Sequence, residues 1–372
     1  MNTKEVPPSA CAAWKKAPVS TPPTRPSGTE RATNWLRHRL GRAVVLAYAA
    51  ALFLPGPGVW LRHTHPLPLV AGGLSWSTSQ ILLALVLFSA GLQVPVRALG
   101  ALFRRPLALL AGLVLHLAIP LLAIPAVAFL LHRTPDSDGG SGLITAMILI
   151  VAMPVAAGAT VWTGKAEGDQ STMVGLVLAS TLLSPLTIPL VIRALQPLLS
   201  GEYATTLARA GHTAQSGFAL VGVVGPCAAG IALRLVLPAP WLKGGLGTVV
   251  PLALTGSLLL TYVNASGALG TFLTHPRPLL LAAALAVATL VCLLSFAVGR
   301  GAARLLGLDA PAASSLTLAC GMNNSSASAV LLTTTLPDKP HLLLPVLAYG
   351  LLQKTAASRV VRRQVPLPSS AT

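Results

Sequence analysis

Polar side chains able to bind a ligand are concentrated at two interruptions of otherwise apolar sequence. The first is Met153-Pro154-Val155-Ala156-Ala157-Gly158-Ala159-Thr160, with Pro154 and Gly158 in the middle of an apolar run. Proline lacks a backbone donor and clashes with the preceding turn, and glycine tolerates an unwound backbone. The second is Ala319-Cys320-Gly321-Met322-Asn323-Asn324-Ser325-Ser326, a polar cluster set in apolar sequence. Opened helix ends offer N–H groups to anions and carbonyls to cations. Either interruption alone reads as a proline kink or a polar patch between helices. Two of them at corresponding places predict a solute site lined by Thr160, Asn323 and Asn324. The helices would break at Pro154, Gly158 and Gly321. With no carboxylate nearby, the site suits an anion.

His116 is the one histidine well inside an apolar run. Ionisable groups at membrane depth are costly and often functional, and imidazole changes charge near neutral pH. Proton-linked or pH-sensitive transport is one reading of it. A neutral histidine hydrogen-bonded between helices is the other. Cys227, Cys292 and Cys320 read as small apolar fillers, with no CxxC spacing for a disulfide framework or a zinc site.

The elements around these residues follow from composition. Of 372 residues, 9% are charged and 53% hydrophobic, and the mean hydropathy is +0.73. A soluble chain carries about 25% charged residues. A water-facing surface cannot be covered at 9%, so an ordinary soluble enzyme is excluded and a polytopic membrane protein is expected. HExxH, GxSxG and paired carboxylates are absent from the apolar runs. A net charge of +17 can signal nucleic-acid binding, but eight basic residues lie within the first 42 and most others fall between apolar runs. That distribution is the positive-inside signature of a chain partnered by the bilayer, not by nucleic acid.

Ten apolar runs cover 43–61, 77–99, 106–131, 142–165, 170–193, 214–237, 245–264, 276–298, 311–335 and 340–360. Each is about long enough to span a bilayer, and no period-2 alternation appears, so helices rather than a barrel are expected. Residues 1–41, rich in Pro, Ser, Thr and basic residues, read as an unstructured cytosolic tail. The transporter domain would occupy 42–360 and a second cytosolic tail 361–372. Arg104, Arg105, Lys165, Arg234, Lys243, Arg300, Arg304, Lys354 and Arg359 fall on one side, which places both termini in the cytosol. The first, third and fifth runs start at 43, 106 and 170, and their counterparts at 214, 276 and 340. This nearly constant offset predicts two five-helix repeats, 43–193 and 214–360. An odd number of spans inverts the second relative to the first, an arrangement typical of secondary transporters.

The stretch Pro154 to Pro189, with Gly168 and Ser180-Thr181-Leu182-Leu183-Ser184-Pro185, resembles the fourth and fifth helices of the bile acid:sodium symporter family. Gly321-Met322-Asn323-Asn324 resembles that family's Gly-Met-Gln-Asn crossover, Ala90-Gly91-Leu92 its Met-Gly-Leu turn, and Arg105-Pro106 to His116 the start of its third helix. The resemblance implies a ten-helix fold of panel and core domains, with broken helices 4 and 9 crossing. It implies alternating access with symport of an organic anion and sodium. Short loops between the apolar runs and the lack of a targeting signal favour a bacterial-type inner membrane.

One family sodium site matches Ala159, Thr160, Met173, Val177 and Ala319, of which Thr160 alone offers a side-chain oxygen. Sodium gives up hydration only for a shell of oxygens and a compensating charge, so this site is expected to be lost. The second matches Ala319, His116, Asn323 and the carbonyls of Cys320 and Met322, and keeps part of its shell without the carboxylate. The expectation is a transporter of small organic anions with sodium coupling in doubt, proton coupling as another route, and no other cofactor. The alternatives are a non-transporting receptor or scaffold of the same fold and an arsenite-type efflux carrier. The latter's cysteine and glutamate have no counterpart here.

Overall fold

The computed structural model describes residues 28–63, 67–68, 75–94, 106–131, 140–274, 278–336 and 339–364. The described chain is almost entirely helical, as apolar sequence without water must be to satisfy its own backbone. In chain order the helices are α1 (Gly28–Phe53), α2 (Pro55–His63), α3 (Thr78–Leu92), α4 (Pro106–Leu131), α5 (Ser141–Val151), α6 (Ala159–Lys165) and α7 (Gln170–Leu195). They continue with α8 (Gly201–Thr213), α9 (Gly225–Val236), α10 (Ala239–Thr274), α11 (Pro278–Leu305), α12 (Ala310–Gly321), α13 (Ser325–Thr335) and α14 (Leu343–Gln364). Residues Ala214–Val224, between α8 and α9, wind as a π-helix. Leu67–Pro68 and Ser75–Trp76 form a small antiparallel pair.

Five helical stretches are long and apolar enough to cross a membrane: Pro106–Leu131, Gln170–Leu198, Gly217–Val236, Ala239–Thr274 and Pro278–Leu305. A sixth is added if Arg39–Phe53 and Pro55–Arg62, bent by 93°, count as one span. The protein is therefore a multi-pass membrane protein, but ten unbroken spans are not present among the described residues. The physical reason is visible in the remaining runs. Thr78–Leu92 is only 15 residues long. The runs 142–165 and 311–335 are each divided into two shorter helices. Helicity also begins at Gly28, inside the segment expected to be a tail. Residues 1–27 and 365–372 lie outside the described residues.

Packing falls into two groups. In one, α10 contacts α1, α2 and α3, while α3 also lies along α9. Gly91 of α3 meets the Cys227 carbonyl, and Gly230 of α9 meets the Phe88 carbonyl, so a Cβ at either place would collide with backbone. Small residues permit such close helix approach where apolar burial alone drives no association in lipid. The sharp turn after Phe53 is held by the Tyr262 hydroxyl, which donates to the Leu54 carbonyl at 2.6 Å. In the second group α4, α7, α11, α12 and α14 pack around the short helices. The outward side of α4 carries Leu107, Leu110, Val114, Leu122 and Phe129, all exposed, which suits a helix facing lipid.

Two acidic residues serve helix ends. Asp169 accepts from the Ser171 and Thr172 amides at the start of α7. Asp309 accepts from the Ala312 amide at the start of α12. Each satisfies donors that helix geometry leaves unpaired. The two caps are joined, because the Asp169 amide donates to the Pro311 carbonyl at 3.0 Å and the Ser315 hydroxyl to the Asp169 carbonyl at 2.9 Å.

Candidate functional site: a crossover of two broken helices

The run 142–165 stops being helical after Val151 and resumes at Ala159. Pro154 has no N–H to continue the ladder, and its carbonyl accepts from the Asn324 amide at 2.9 Å. The Val155 amide donates to the Ser180 hydroxyl of α7 at 3.1 Å. The Ala156 amide donates to the Met322 carbonyl at 2.8 Å. Val155 and Asn323 thus form an antiparallel bridge. The two opened segments satisfy one another's buried backbone, which is the condition for unwinding a helix in an apolar interior. Gly158 is exposed and precedes α6 without a side-chain cap. Thr160 turns its hydroxyl back onto the Ala157 carbonyl at 2.8 Å.

The second break lies between Gly321 and Ser325. Gly321 is pressed against the Phe296 ring, and Gly299 faces the Cys320 side chain, so neither site admits a Cβ without displacement. Cys320 is buried with Ile119 and Leu316 and acts as packing. Asn323 is 3% exposed. Its amide donates to the Tyr349 hydroxyl at 3.3 Å, while its side-chain oxygen has no donor. The Tyr349 hydroxyl also reaches the Gly321 carbonyl at 3.5 Å. Asn324 is the N-cap of α13, accepting from the Ala327 amide at 3.1 Å.

Ala159, Met173, Val177, Ala319 and Met322 are buried in one apolar cluster, together with Met153 and Val155. The side chains at four of the five positions matched to the first sodium site therefore contact hydrocarbon and present no oxygen. The fifth, Thr160, already spends its donor locally. Of the second set, the Met322 carbonyl is bonded across the crossover and the Asn323 oxygen is unclaimed. His116 is buried on α4, one turn beyond Gly112, which abuts Leu176 of α7. The helix of His116 reaches Cys320 through Ile119.

Sequence reasoning missed a second polar feature. A cavity of about 20 Å³ opens beside the start of α13, lined by Tyr48, Thr261, Asn264, Ser325, Ser326 and Lys354. Lys354 sits in the last apolar run, followed by Arg359, Arg362 and Arg363, and read as one more charge at the cytosolic end. Its place in the interior depends on which face of α14 turns inward. Gly350, one turn earlier, was the available signal, because it brings α14 against Ser325.

The model of the Sodium Bile acid symporter family matches residues 80–275, more than half of the chain. No curated protein matches. The matched stretch contains the first break and the Ser180 that supports it; the second break and Lys354 lie beyond it. With this match over a helical membrane fold, the chain belongs to the sodium bile acid symporter family.

Proposed function

We propose that this membrane transporter carries small organic anions by alternating access at the crossover, and that it does so without a family-type sodium site. The observation that carries the proposal is the Val155–Asn323 bridge, a break in two helices at once that leaves a buried amide oxygen unclaimed. The transport domain, 42–360, is read as inverted repeats 43–193 and 214–360 with both termini cytosolic. Thr160, Asn323 and Asn324 are the proposed solute contacts, with the Cys320 and Met322 carbonyls beside them. Loss of sodium coupling is supported by the apolar cluster at Ala159, Met173, Val177 and Ala319, where an ion would lose its hydration for nothing. His116 is the proposed route for proton linkage.

Flux in sealed vesicles tests this. Purified chain in proteoliposomes is loaded with unlabelled lactate, pyruvate or a steroid carboxylate and assayed for counterflow of the labelled compound. Saturable counterflow that is the same in sodium and potassium salts is expected. Flux that requires sodium contradicts the uncoupled reading. Counterflow no higher than in empty vesicles, for every compound, contradicts transport and favours the receptor or scaffold alternative.

A further inference from the structure

The first half of α1 carries basic and aromatic side chains on one side of the helix. Arg31, Trp35, Arg39 and Arg42 follow one another at spacings of four, four and three residues, which places them on a common face. All four are exposed, Trp35 to 56%. The same face continues to Leu46 and Phe53, which are 68% and 78% exposed. Val44 and Ala51, on the opposite side, are buried, and α1 packs there against α10. The outward stripe therefore changes from basic and aromatic to apolar along a single helix.

Its depth follows from that change. The apolar stretch of the bent span begins at Arg39. Arg39 and Arg42 consequently stand where hydrocarbon gives way to headgroups. Trp35 lies one turn further out, at the level where amphipathic rings gather. The Arg39 guanidinium sits over the Trp35 ring, 5.0 Å from its centroid. A guanidinium held by its face keeps its N–H edge for an acceptor, and that edge matches a phosphate with two parallel hydrogen bonds. The charge of the stripe selects among headgroups. Glu30 is the sole acid between Gly28 and Asp136, and it is turned about 100° away from Arg31 around the helix. A zwitterionic headgroup brings an ammonium for which the stripe has no partner. A headgroup of net negative charge meets arginines alone.

We infer that this stripe is a binding surface for an anionic phospholipid. Arg39 and Arg42 hold its phosphate, Trp35 lies beside its glycerol, Arg31 forms the outer rim, and the acyl chains run along Leu46 and Phe53. The assignment goes beyond solute transport and does not depend on what the crossover binds.

The test uses the full chain in a maltoside detergent, titrated with phosphatidylglycerol, phosphatidylcholine or potassium phosphate while the melting temperature is followed. Wild type should show a saturable rise with phosphatidylglycerol, at least about fivefold tighter than any with phosphatidylcholine, and none with phosphate. Arg39→Gln and Arg42→Gln should each weaken phosphatidylglycerol by about fivefold, the scale of one basic residue at an anionic surface. Arg209→Gln removes the same charge from the exposed side of α8 and should leave the affinity unchanged. Equal responses to the two lipids, or no response to phosphatidylglycerol, overturn the inference in wild type alone, whether or not the variants fold. A rise with phosphate equal to that with phosphatidylglycerol overturns it in favour of a free-anion site. Equal weakening by Arg209→Gln and Arg39→Gln overturns it in favour of overall charge. Unchanged affinity in both Arg39→Gln and Arg42→Gln overturns the assignment to α1.

Discussion

Toward α12 and α7, the crossover is walled by Ala159, Met173, Val177 and Ala319, all at most 7% exposed and all within one apolar cluster. Toward α13 and α14, it gives way to Asn323, Asn324, Ser325, Ser326, Asn264 and Lys354, with two amide oxygens left without donors. The first region is close-packed and offers a cation nothing. The second carries hydroxyls, amides and a lysine amine. The same broken-helix scaffold therefore accommodates opposite chemistries within a few turns, and the difference lies in side chains rather than in backbone path. In this chain the backbone of the crossover is kept while the oxygen shell that the family resemblance implies is replaced by methyl and thioether groups.

The sharpest way to break the comparison is to put a carboxylate in the apolar region. Ala319→Glu should destabilise the fold by several kcal/mol, because a buried charge without partners pays most of its desolvation. Sodium should not restore it. Recovery of the melting temperature in NaCl but not KCl would show that a latent cation shell exists. Next in size is Ser180→Ala, which strands the Val155 amide at the crossover. The expected loss is about 1–3 kcal/mol, read by thermal unfolding. A change below about 0.5 kcal/mol would mean that the Val155–Ser180 bond does not support the break.

Asn324→Ala removes the cap of α13 and should cost about 1 kcal/mol. If Asn324 also contacts solute, the variant should lose flux beyond what the stability change explains; flux per folded protein equal to wild type would restrict Asn324 to capping. The smallest expected effect is on His116. His116→Gln should leave stability nearly unchanged and remove any dependence of flux on pH. A pH profile identical to wild type would exclude His116 as the proton-linked group.

How much of this was legible in sequence depends on the kind of signal. Pro154 and Gly158 in an apolar run, and Asn323-Asn324 in another, leave few helical alternatives, so the places where the chain unwinds can be read residue by residue. The supporting contacts cannot. Ser180 and Tyr349 are ordinary helix residues until the fold brings them to Val155 and Asn323, 25 and 26 residues away in sequence. Composition also misplaced the start of α1, since polar sequence from Gly28 onward is helical where a tail was expected. The 93° turn at Leu54 has a local signal in Pro55-Gly56-Pro57-Gly58, which length and hydropathy alone passed over. Lys354 was counted with the loop charges because a single lysine near the end of an apolar run carries no information about which way its helix face turns.

The central claim is that the sodium-matched region is chemically silent in an otherwise intact transporter. It is tested most directly by comparing the melting temperature of the purified chain in NaCl and KCl at equal ionic strength, in the presence of saturating lactate. A cation bound only by the native state at 100 times its Kd would add about 2.7 kcal/mol of stability. The account predicts superimposable curves in the two salts. A sodium-specific rise, retained when chloride is replaced by another anion, would contradict it.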